Sequence, residues 1–421
     1  MRSEAVNTKK ESDPASRTYA LKGLSVTLSA PVEVARRENL RMSELSNDTT
    51  GQFLWYPQVA CLPNGELLAQ IRTGGDSWAA DLGCPIAFSW SSDNGRTWSE
   101  LLVTSKHNGY GSLILPLRAL MIMPFILARA PGGAVGPCHL IPSGKREVQF
   151  VENAVQVTGF KGKPAADLTM DCTWKTDQAF QPSGWAFDGR PVKVNGGWLT
   201  TLYGKYEGDL KKKCTLDVAF SKDGMKWEIC GTVVGPESSI GRHHWGNSEA
   251  EACRLPDGRL KCVWRLDKEP YRWSYSGDEG FTWSPPDQLP QGVGTVEPRL
   301  AVTRDGVVAL FGGRPGLHIW LNADGKGGDW QDIDLFKHHN TLAAPDDVRY
   351  PGVDIGYAPS LDQKAPAAPG RAYRFDGRSA YGSIVALNDS ELLVIYDCFT
   401  EESFGIYVVR ATLRSVAGGR A

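Results

Sequence analysis

The chain has 421 residues, with 46 Lys and Arg against 48 Asp and Glu, which gives a formal charge of −2. This near-neutral balance argues against a nucleic-acid-binding surface and against a polybasic membrane patch. Hydrophobic residues at 41% and charged residues at 22% are typical of a globular protein, and the 46 Gly, 14 Trp, 13 Tyr and 14 Phe favour repeated β-hairpins.

The start of the chain, Met1–Arg17, is polar and lacks the apolar segment of a signal peptide, so we expect a cytoplasmic protein. Residues 1–45 are predicted to form an N-terminal arm, partly disordered or closing the main domain of residues 46–421. The apolar segment Leu113–Ala130 is interrupted by prolines and arginines, which favours buried strands over a membrane helix.

Nine cysteines are scattered along the chain without a Cys-x-x-Cys pair, so the sequence predicts neither a zinc site nor a thioredoxin-type site. It also contains no phosphate-binding glycine loop and no nucleotide motif. We therefore predict no cofactor and no metal.

One unit recurs along the chain: an apolar run, a tight turn and a second apolar run. Asn-Gly and Asp-Gly turns between such runs indicate β-hairpins, because these residues tolerate a positive φ. The long interval between Asn64 and Gly196 leaves room for a sixth hairpin. The turns are Pro63-Asn64-Gly65, Asn195-Gly196-Gly197, Pro256-Asp257-Gly258, Arg304-Asp305-Gly306 and Asn388-Asp389-Ser390.

A second repeat follows several of these hairpins. Ser91–Trp98 has the form S-x-D-x-G-x-T-W, and Ser276–Trp283 matches it at every position. Ser221–Trp227 is a shorter version, and the segment from Asn322 to Trp330 is a longer, degenerate one. The Asp is expected to accept hydrogen bonds from the turn and the Gly to supply backbone freedom, while the Trp packs between sheets.

These repeats resemble the Asp boxes of the sialidase (neuraminidase) superfamily, and the similarity extends from Trp55 to Asp397, with its weakest part in residues 105–190. The resemblance implies an all-β fold: a six-bladed β-propeller with four antiparallel strands in each blade. It also implies an exo-acting retaining glycoside hydrolase that removes a terminal acidic sugar, such as sialic acid, from a glycan or glycoconjugate.

The resemblance assigns roles to a glutamate and an arginine around the third of these turns. Glu249 precedes the turn, and Arg265 ends the next strand sixteen residues later. Glu249 would be the base that activates a tyrosine, and Arg265 would bind the substrate carboxylate with its planar fork of donors. A salt bridge at the rim of the domain is the alternative role for this pair.

Two further residues match the superfamily. Arg314, after the run Val307–Phe311, corresponds to the next carboxylate-binding arginine, and Tyr381, before the run Ile384–Leu387, corresponds to the nucleophile. A neutral phenol can approach an acidic sugar that would repel a carboxylate nucleophile, and it can then be deprotonated by Glu249.

The general acid is expected in the loop after the first hairpin. Asp76 and Asp81 both fit, in the segment from Gly74 to Asp81. Asp76 is slightly preferred because it follows a pair of glycines, and Asp81 stays open.

The sequence departs from the superfamily at the first of its three carboxylate-binding arginines. Trp55-Tyr56-Pro57 stands where the family has Arg-Ile-Pro, and Asp397 replaces the glutamate that orients this arginine. Loss of one charge-assisted contact is expected to cost ~1.5–3 kcal/mol in carboxylate binding. Arg72 is a candidate substitute, and Trp55 and Tyr56 are expected to line the cleft.

Two other functions are compatible with the sequence. His243 and His244 lie close before Glu249, and a His and Tyr pair would suit a lyase that removes the C5 proton of a uronic acid. His244 is also a candidate for substrate binding. The other alternative is a propeller that binds carbohydrate without turnover.

Overall fold

The structure is a computed structural model. Strands dominate the part of the chain that it describes, so the predicted all-β class is confirmed. None of the helices described is long and apolar enough to cross a membrane. The described residues are 15–38, 40, 50–75, 84–104, 109–114, 119–142, 144–160, 182–207, 213–238, 246–266, 269–294, 296–313, 316–343, 381–399 and 403–416.

Three strands come first along the chain. In the second of them, Leu24, Val26 and Leu28 are buried and alternate with partly exposed Ser and Thr side chains. This period of two is expected of a strand with one covered face. The strands are β1 (Ser16–Leu21), β2 (Leu24–Ser29) and β3 (Val32–Glu38).

The next four strands form an antiparallel sheet in chain order. The predicted turn Pro63-Asn64-Gly65 joins its first two strands, and Gly65 has a φ of +87°, as such a turn requires. The strands are β4 (Trp55–Cys61), β5 (Leu67–Arg72), β6 (Ile86–Ser91) and β7 (Leu102–Val103).

Ten strands form one sheet in the middle of the chain. They are β8 (Gly109–Ile114), β9 (Leu120–Pro124), β10 (Ile126–Ala130), β11 (Gly133–Ile141), β12 (Gln149–Thr158), β13 (Pro182–Phe187), β14 (Val192–Val194), β15 (Gly197–Gly204), β16 (Thr215–Ser221) and β17 (Lys226–Val234). A 3-10 turn, Pro236–Ser238, follows.

This sheet differs from the separate four-stranded sheets that the sequence predicts. β12 pairs in parallel with β17, and β10 pairs with both β11 and β13, so hydrogen bonds close a ring of strands. The described strands therefore form five sheets, with three of four strands, one of six and one of ten. The extra strand β10 lies in the segment where the hairpin pattern is weakest.

Two further four-stranded sheets follow in chain order. The first contains β18 (Asn247–Arg254), β19 (Leu260–Leu266), β20 (Arg272–Ser276) and β21 (Asp287–Gln288). The second contains β22 (Val296–Val302), β23 (Val308–Gly313), β24 (Leu317–Asn322) and β25 (Gln331–Asp334), and α1 (Leu335–Leu342) comes after it. Asp334 caps α1 by accepting a hydrogen bond from the backbone N–H of Lys337.

The last sheet joins the two ends of the described chain. Its final strands are β26 (Gly382–Ala386), β27 (Glu391–Phe399) and β28 (Ser403–Ser415). β28 pairs with β27 along one edge and, along the other, first with β3 and then with β2.

All five predicted hairpin turns join antiparallel strands, so these predictions are confirmed. Edge strands of neighbouring sheets lie side by side: β18 beside β22, β22 beside β26, and β26 beside β4. Tyr56, Glu249, Glu297 and Tyr381, at or next to the starts of these strands, lie at one end of this arrangement, which we call the mouth.

The Asp-containing turns have the hydrogen bonds expected from their sequence. Asp93 accepts from the backbone N–H of Thr97 at 2.9 Å and from its hydroxyl at 2.7 Å. Asp278 makes the same two contacts with Thr282, at 2.9 and 2.6 Å. Each turn thus satisfies its own polar groups and leaves its apolar residues to pack against a neighbouring sheet.

Two glycines with the same backbone conformation allow the stability cost of backbone strain to be compared with that of packing at such a turn. Both Gly280 (φ +94°) and Gly292 (φ +89°) adopt a left-handed conformation. A Cβ at Gly280 would lie 2.5 Å from Cδ2 of Leu199, whereas nothing lies within 4 Å at Gly292. We expect Gly292→Ala to lower the free energy of unfolding by ~1 kcal/mol, and Gly280→Ala to cost a further ~1–3 kcal/mol. Urea unfolding of both variants measures the difference, and equal losses would contradict the packing of this turn on Leu199.

Candidate active site

Three strands at the mouth begin with a β-bulge. β4, β18 and β22 each carry one extra residue relative to the strand they pair with. Within these bulges Tyr56, Glu249 and Glu297 have φ values of +58°, +45° and +33°. A residue other than glycine in this region carries ~1–3 kcal/mol of strain, and bulges next to active sites redirect side chains. The same distortion thus occurs three times around the mouth.

Glu249 and Arg265 form an ion pair at the mouth, from adjacent strands β18 and β19. Arg265 Nη1 donates to Glu249 Oε1 at 2.7 Å, and the backbone N–H of Glu297 donates to Glu249 Oε2 at 2.9 Å. The Arg265 side chain is 17% exposed and the Glu249 side chain is 13% exposed. Both oxygens of Glu249 are therefore held in place while the pair still reaches the surface.

The electrostatic surroundings of Arg265 include the tyrosines. Burial alone would lower the pKa of Arg265, but Glu249 and then Tyr381 raise it above its usual value, with a smaller contribution from Tyr56. Tyr381 and Tyr56 therefore lie within electrostatic range of this guanidinium. A negative charge on either phenol would be stabilised by Arg265.

Tyr381 packs face to face with Tyr56. The ring centroids are 3.8 Å apart with an interplanar angle of 24°, and Trp55 contacts Tyr381 edge-on at 5.3 Å. Tyr381 and Tyr56 are 5% and 6% exposed. These contacts fix the orientation of the Tyr381 ring beside the pair of Glu249 and Arg265.

Two predicted substrate-binding residues lie below the mouth instead. Trp55 is fully buried and stacks on Phe399 at 5.2 Å, because the bulge in β4 points Tyr56 rather than Trp55 at the mouth. Asp397 is also fully buried, on β27, where its backbone N–H donates to the Tyr381 carbonyl. Both residues thus lie under Tyr381, and their roles in substrate binding stay predictions.

Arg72 lies beside Tyr56, at the end of β5. Its guanidinium is 5.9 Å from the centre of the Tyr56 ring, and its Nη2 donates to the Gly75 carbonyl at 2.9 Å. Arg72 is the predicted substitute for the missing arginine, and its place next to Tyr56 is compatible with that prediction.

Four other predicted residues lie outside the described part of the chain: Asp76, Asp81, Arg314 and His244. The same holds for His243. The identity of the general acid, the second carboxylate-binding arginine and the role of the histidines stay predictions.

A buried group of charges, which the sequence did not predict, lies behind the mouth. Arg299, on β22, is fully buried and donates to Glu251 at 3.1 Å, to Asp188 at 3.4 Å and, in close contact, to Glu297. The two charged residues Glu297 and Arg299 inside the otherwise apolar segment Val296–Val302 are the signal that could have revealed it, because such residues are rarely buried unpaired. In the described residues, no group of three or more His, Cys, Asp or Glu has the arrangement of a metal site.

Arg190 links this group to three strands. It donates to both oxygens of Glu251 and, at 2.7 Å each, to the backbone carbonyls of Leu300 and Ile384. Burial alone would raise the pKa of Glu251, but Arg190 and Arg299 hold it below the usual value. Arg190 therefore connects β18, β22 and β26 behind the mouth.

The chain resembles solved structures more clearly than known sequences. No family model matches it, and no curated protein matches it. A protein of unknown function from Dyadobacter fermentans superposes with a TM-score of 0.57 at 16% identity, over 91% of this chain and 100% of that one. An α-L-arabinanase from Penicillium chrysogenum gives 0.53 at 14% identity, over 94% and 98%.

A sialidase from Trypanosoma rangeli gives a TM-score of 0.51 at 12% identity, over 90% of this chain and 60% of that one. At such identities the likeness establishes the fold alone. The chain thus has a propeller-like all-β fold that glycoside hydrolases also have.

Proposed function

We propose that this protein is a retaining glycoside hydrolase that removes a terminal acidic sugar, with Tyr381 as nucleophile and Glu249 as its base. The observation that carries the proposal is the ion pair of Glu249 and Arg265, which lies beside the stacked rings of Tyr381 and Tyr56. The shared fold with a sialidase and an arabinanase supports glycoside hydrolysis as the reaction class.

The reaction would proceed in two displacements. Tyr381 transfers its phenolic proton to Glu249 while its oxygen attacks the anomeric carbon, and Asp76 or Asp81 protonates the departing glycosidic oxygen. Water, deprotonated by the same aspartate, then attacks the anomeric carbon, and the Tyr381 oxygen leaves and recovers its proton from Glu249. Arg265 stabilises the negative charge that develops on Tyr381.

Arg265 supports the assignment of an acidic sugar. In the described part of the chain, Glu249 is the one acceptor for the hydrogen bonds of Arg265. The Arg265 side chain is 17% exposed. The remaining N–H groups of the guanidinium are thus available to a substrate carboxylate. Arg314 is proposed as the second cation of this contact, and Arg72 as the third.

We also propose that the ten-stranded sheet contains two blades of a six-bladed propeller. One would consist of β8, β9, β11 and β12, and the other of β13, β15, β16 and β17, since each set follows chain order in the sheet. The other four blades would be the remaining sheets, with β3 completing the last one.

A panel of chromogenic aryl glycosides tests the function. We expect release of the aryl group from a sialoside or a uronide with retention at the anomeric carbon by ¹H NMR, because Tyr381 forms the first bond to that carbon. Hydrolysis of an α-L-arabinofuranoside alone would contradict the acidic sugar. A product with an ultraviolet-absorbing double bond would show that the protein is a lyase. Glycan binding without turnover would show that it is a carbohydrate-binding protein.

A further inference from the structure

The mouth and the buried group behind it form one charged cluster, in which every member is mostly buried. Among the described residues, its carboxylates outnumber its guanidinium groups by four to three, so the fully ionised cluster carries one uncompensated negative charge. An uncompensated buried charge is strongly unfavourable. The cluster consists of Asp188, Glu249, Glu251, Glu297, Arg190, Arg265 and Arg299.

Hydrogen bonding distinguishes Asp188 from the other three carboxylates. Glu249 and Glu251 have hydrogen bonds to both oxygens. Glu297 and Asp188 each have one buried oxygen, Oε2 and Oδ2, that has no hydrogen-bond partner in the described part of the chain. Their other oxygens differ: Glu297 Oε1 is in close contact with Arg299 Nη2, whereas Asp188 Oδ1 meets the same nitrogen only at 3.4 Å. Asp188 as a whole is 1% exposed.

We propose that Asp188 keeps its proton in the folded protein and acts as a positioning residue for Glu249. Leaving a neutral hydroxyl unpaired costs far less than leaving an anionic oxygen unpaired, so the least-bonded carboxyl is the one that keeps a proton. The proton neutralises the cluster. The inference concerns the same site as the proposed hydrolase, but it does not require hydrolysis.

The proton protects the hydrogen bond that fixes Glu249. Arg299 Nη2 meets both Asp188 and Glu297, and the backbone N–H of Glu297 donates to Glu249. An ionised Asp188 would compete with Glu297 for Arg299 and repel Glu249. When Asp188 is neutral, Arg299 stays paired with Glu297. The bulge at Glu297 then keeps the conformation in which its backbone N–H donates to Glu249.

The charges around Asp188 agree with this assignment. Burial raises the pKa of Asp188 to about 7 against the opposing effect of Arg299, and Glu249 and Glu251 contribute to the rise. β18 thus presents Glu249 and Glu251 to the cluster, and β22 presents Glu297 and Arg299. Arg190 follows Asp188 on the same loop, Arg265 enters from β19, and Tyr56 lies within electrostatic range of Arg299.

Thermal unfolding of Asp188→Asn against wild type tests the proposal, because Asn imitates the protonated acid. The unfolded wild type loses the Asp188 proton above about pH 4, whereas the folded protein keeps it to about pH 7. Asp188 therefore makes wild type less stable as the pH rises through that range, up to about tenfold in the unfolding constant per pH unit. We expect the Tm of the variant relative to wild type to rise from about pH 4 to pH 7 and then level off.

Glu297→Gln is the second variant, since Glu297 meets the same Arg299 nitrogen. Without Glu297 the cluster has three carboxylates and three guanidinium groups, so Asp188 can ionise without leaving a net charge. We therefore expect the Tm of this variant relative to wild type to rise with pH as well, over the range in which wild type keeps the Asp188 proton. A Tm difference for either variant that stays flat or falls with pH would overturn the proposal.

A second measurement uses wild type alone, in case Asp188→Asn does not fold. With ¹³C-labelled aspartate carboxyls, one buried resonance should titrate near neutral pH, and its absence would overturn the proposal. Both readouts follow protonation rather than turnover. A wild type that hydrolyses no glycoside would therefore refute the hydrolase and not the protonation of Asp188. An active wild type without the expected pH dependence would refute the protonation of Asp188 and not the hydrolase.

Discussion

Tyr381→Phe is expected to reduce kcat by ~10³–10⁶-fold on the aryl glycoside that wild type hydrolyses, because it removes the proposed nucleophilic oxygen. The fold should survive, since the phenyl ring keeps its contacts with Tyr56 and Trp55. Steady-state kinetics and a thermal melt on the same preparation measure the two quantities. Near-wild-type turnover by this variant would rule out the tyrosine mechanism.

Tyr56→Phe is the control for the loss of a phenol from the stacked pair. The ring centroid of Tyr56 lies 3.8 Å from that of Tyr381, and both phenols interact electrostatically with Arg265. In the proposed mechanism, however, the Tyr56 hydroxyl forms no bond to the substrate. We therefore expect kcat within about tenfold of wild type. If Tyr56→Phe lowers kcat as much as Tyr381→Phe, the two variants do not identify Tyr381 as the nucleophile. Such a result would argue that the stacked pair acts through its packing.

Local sequence patterns predicted the parts of this structure that depend on local energetics. An Asn-Gly or Asp-Gly turn determines its hairpin through backbone preferences within a few residues, as at Gly65 and Gly258. The resemblance to the sialidase superfamily singled out Glu249 and Arg265, with a salt bridge between them as the alternative role, and the register places Ser248 opposite Arg265, so the two side chains meet. Each of these features follows from one hairpin.

The features that were missed depend on contacts between sheets. A bulge adds one residue without changing the apolar pattern, so the sequence did not reveal that Tyr56 takes the place at the mouth while Trp55 is buried. Besides Glu297 on its own strand, Arg299 has two acidic partners that come from elsewhere in the chain: Asp188 after β13, and Glu251 on β18. Such partners are brought together only by the closed arrangement of sheets.

Arg299→Met is expected to lower the free energy of unfolding by ~3–5 kcal/mol, since it leaves buried carboxylates without their cation. Met matches the length of the aliphatic part of the side chain, so the loss measures charge more than volume. Arg304, whose pair with Asp389 is 82% and 57% exposed, provides the control: Arg304→Met should cost less than ~1 kcal/mol. Urea unfolding at pH 7.5 measures both variants. Equal and small losses would show that the buried carboxylates relax to water when Arg299 is removed, and would contradict the closed cluster on which Glu249 depends.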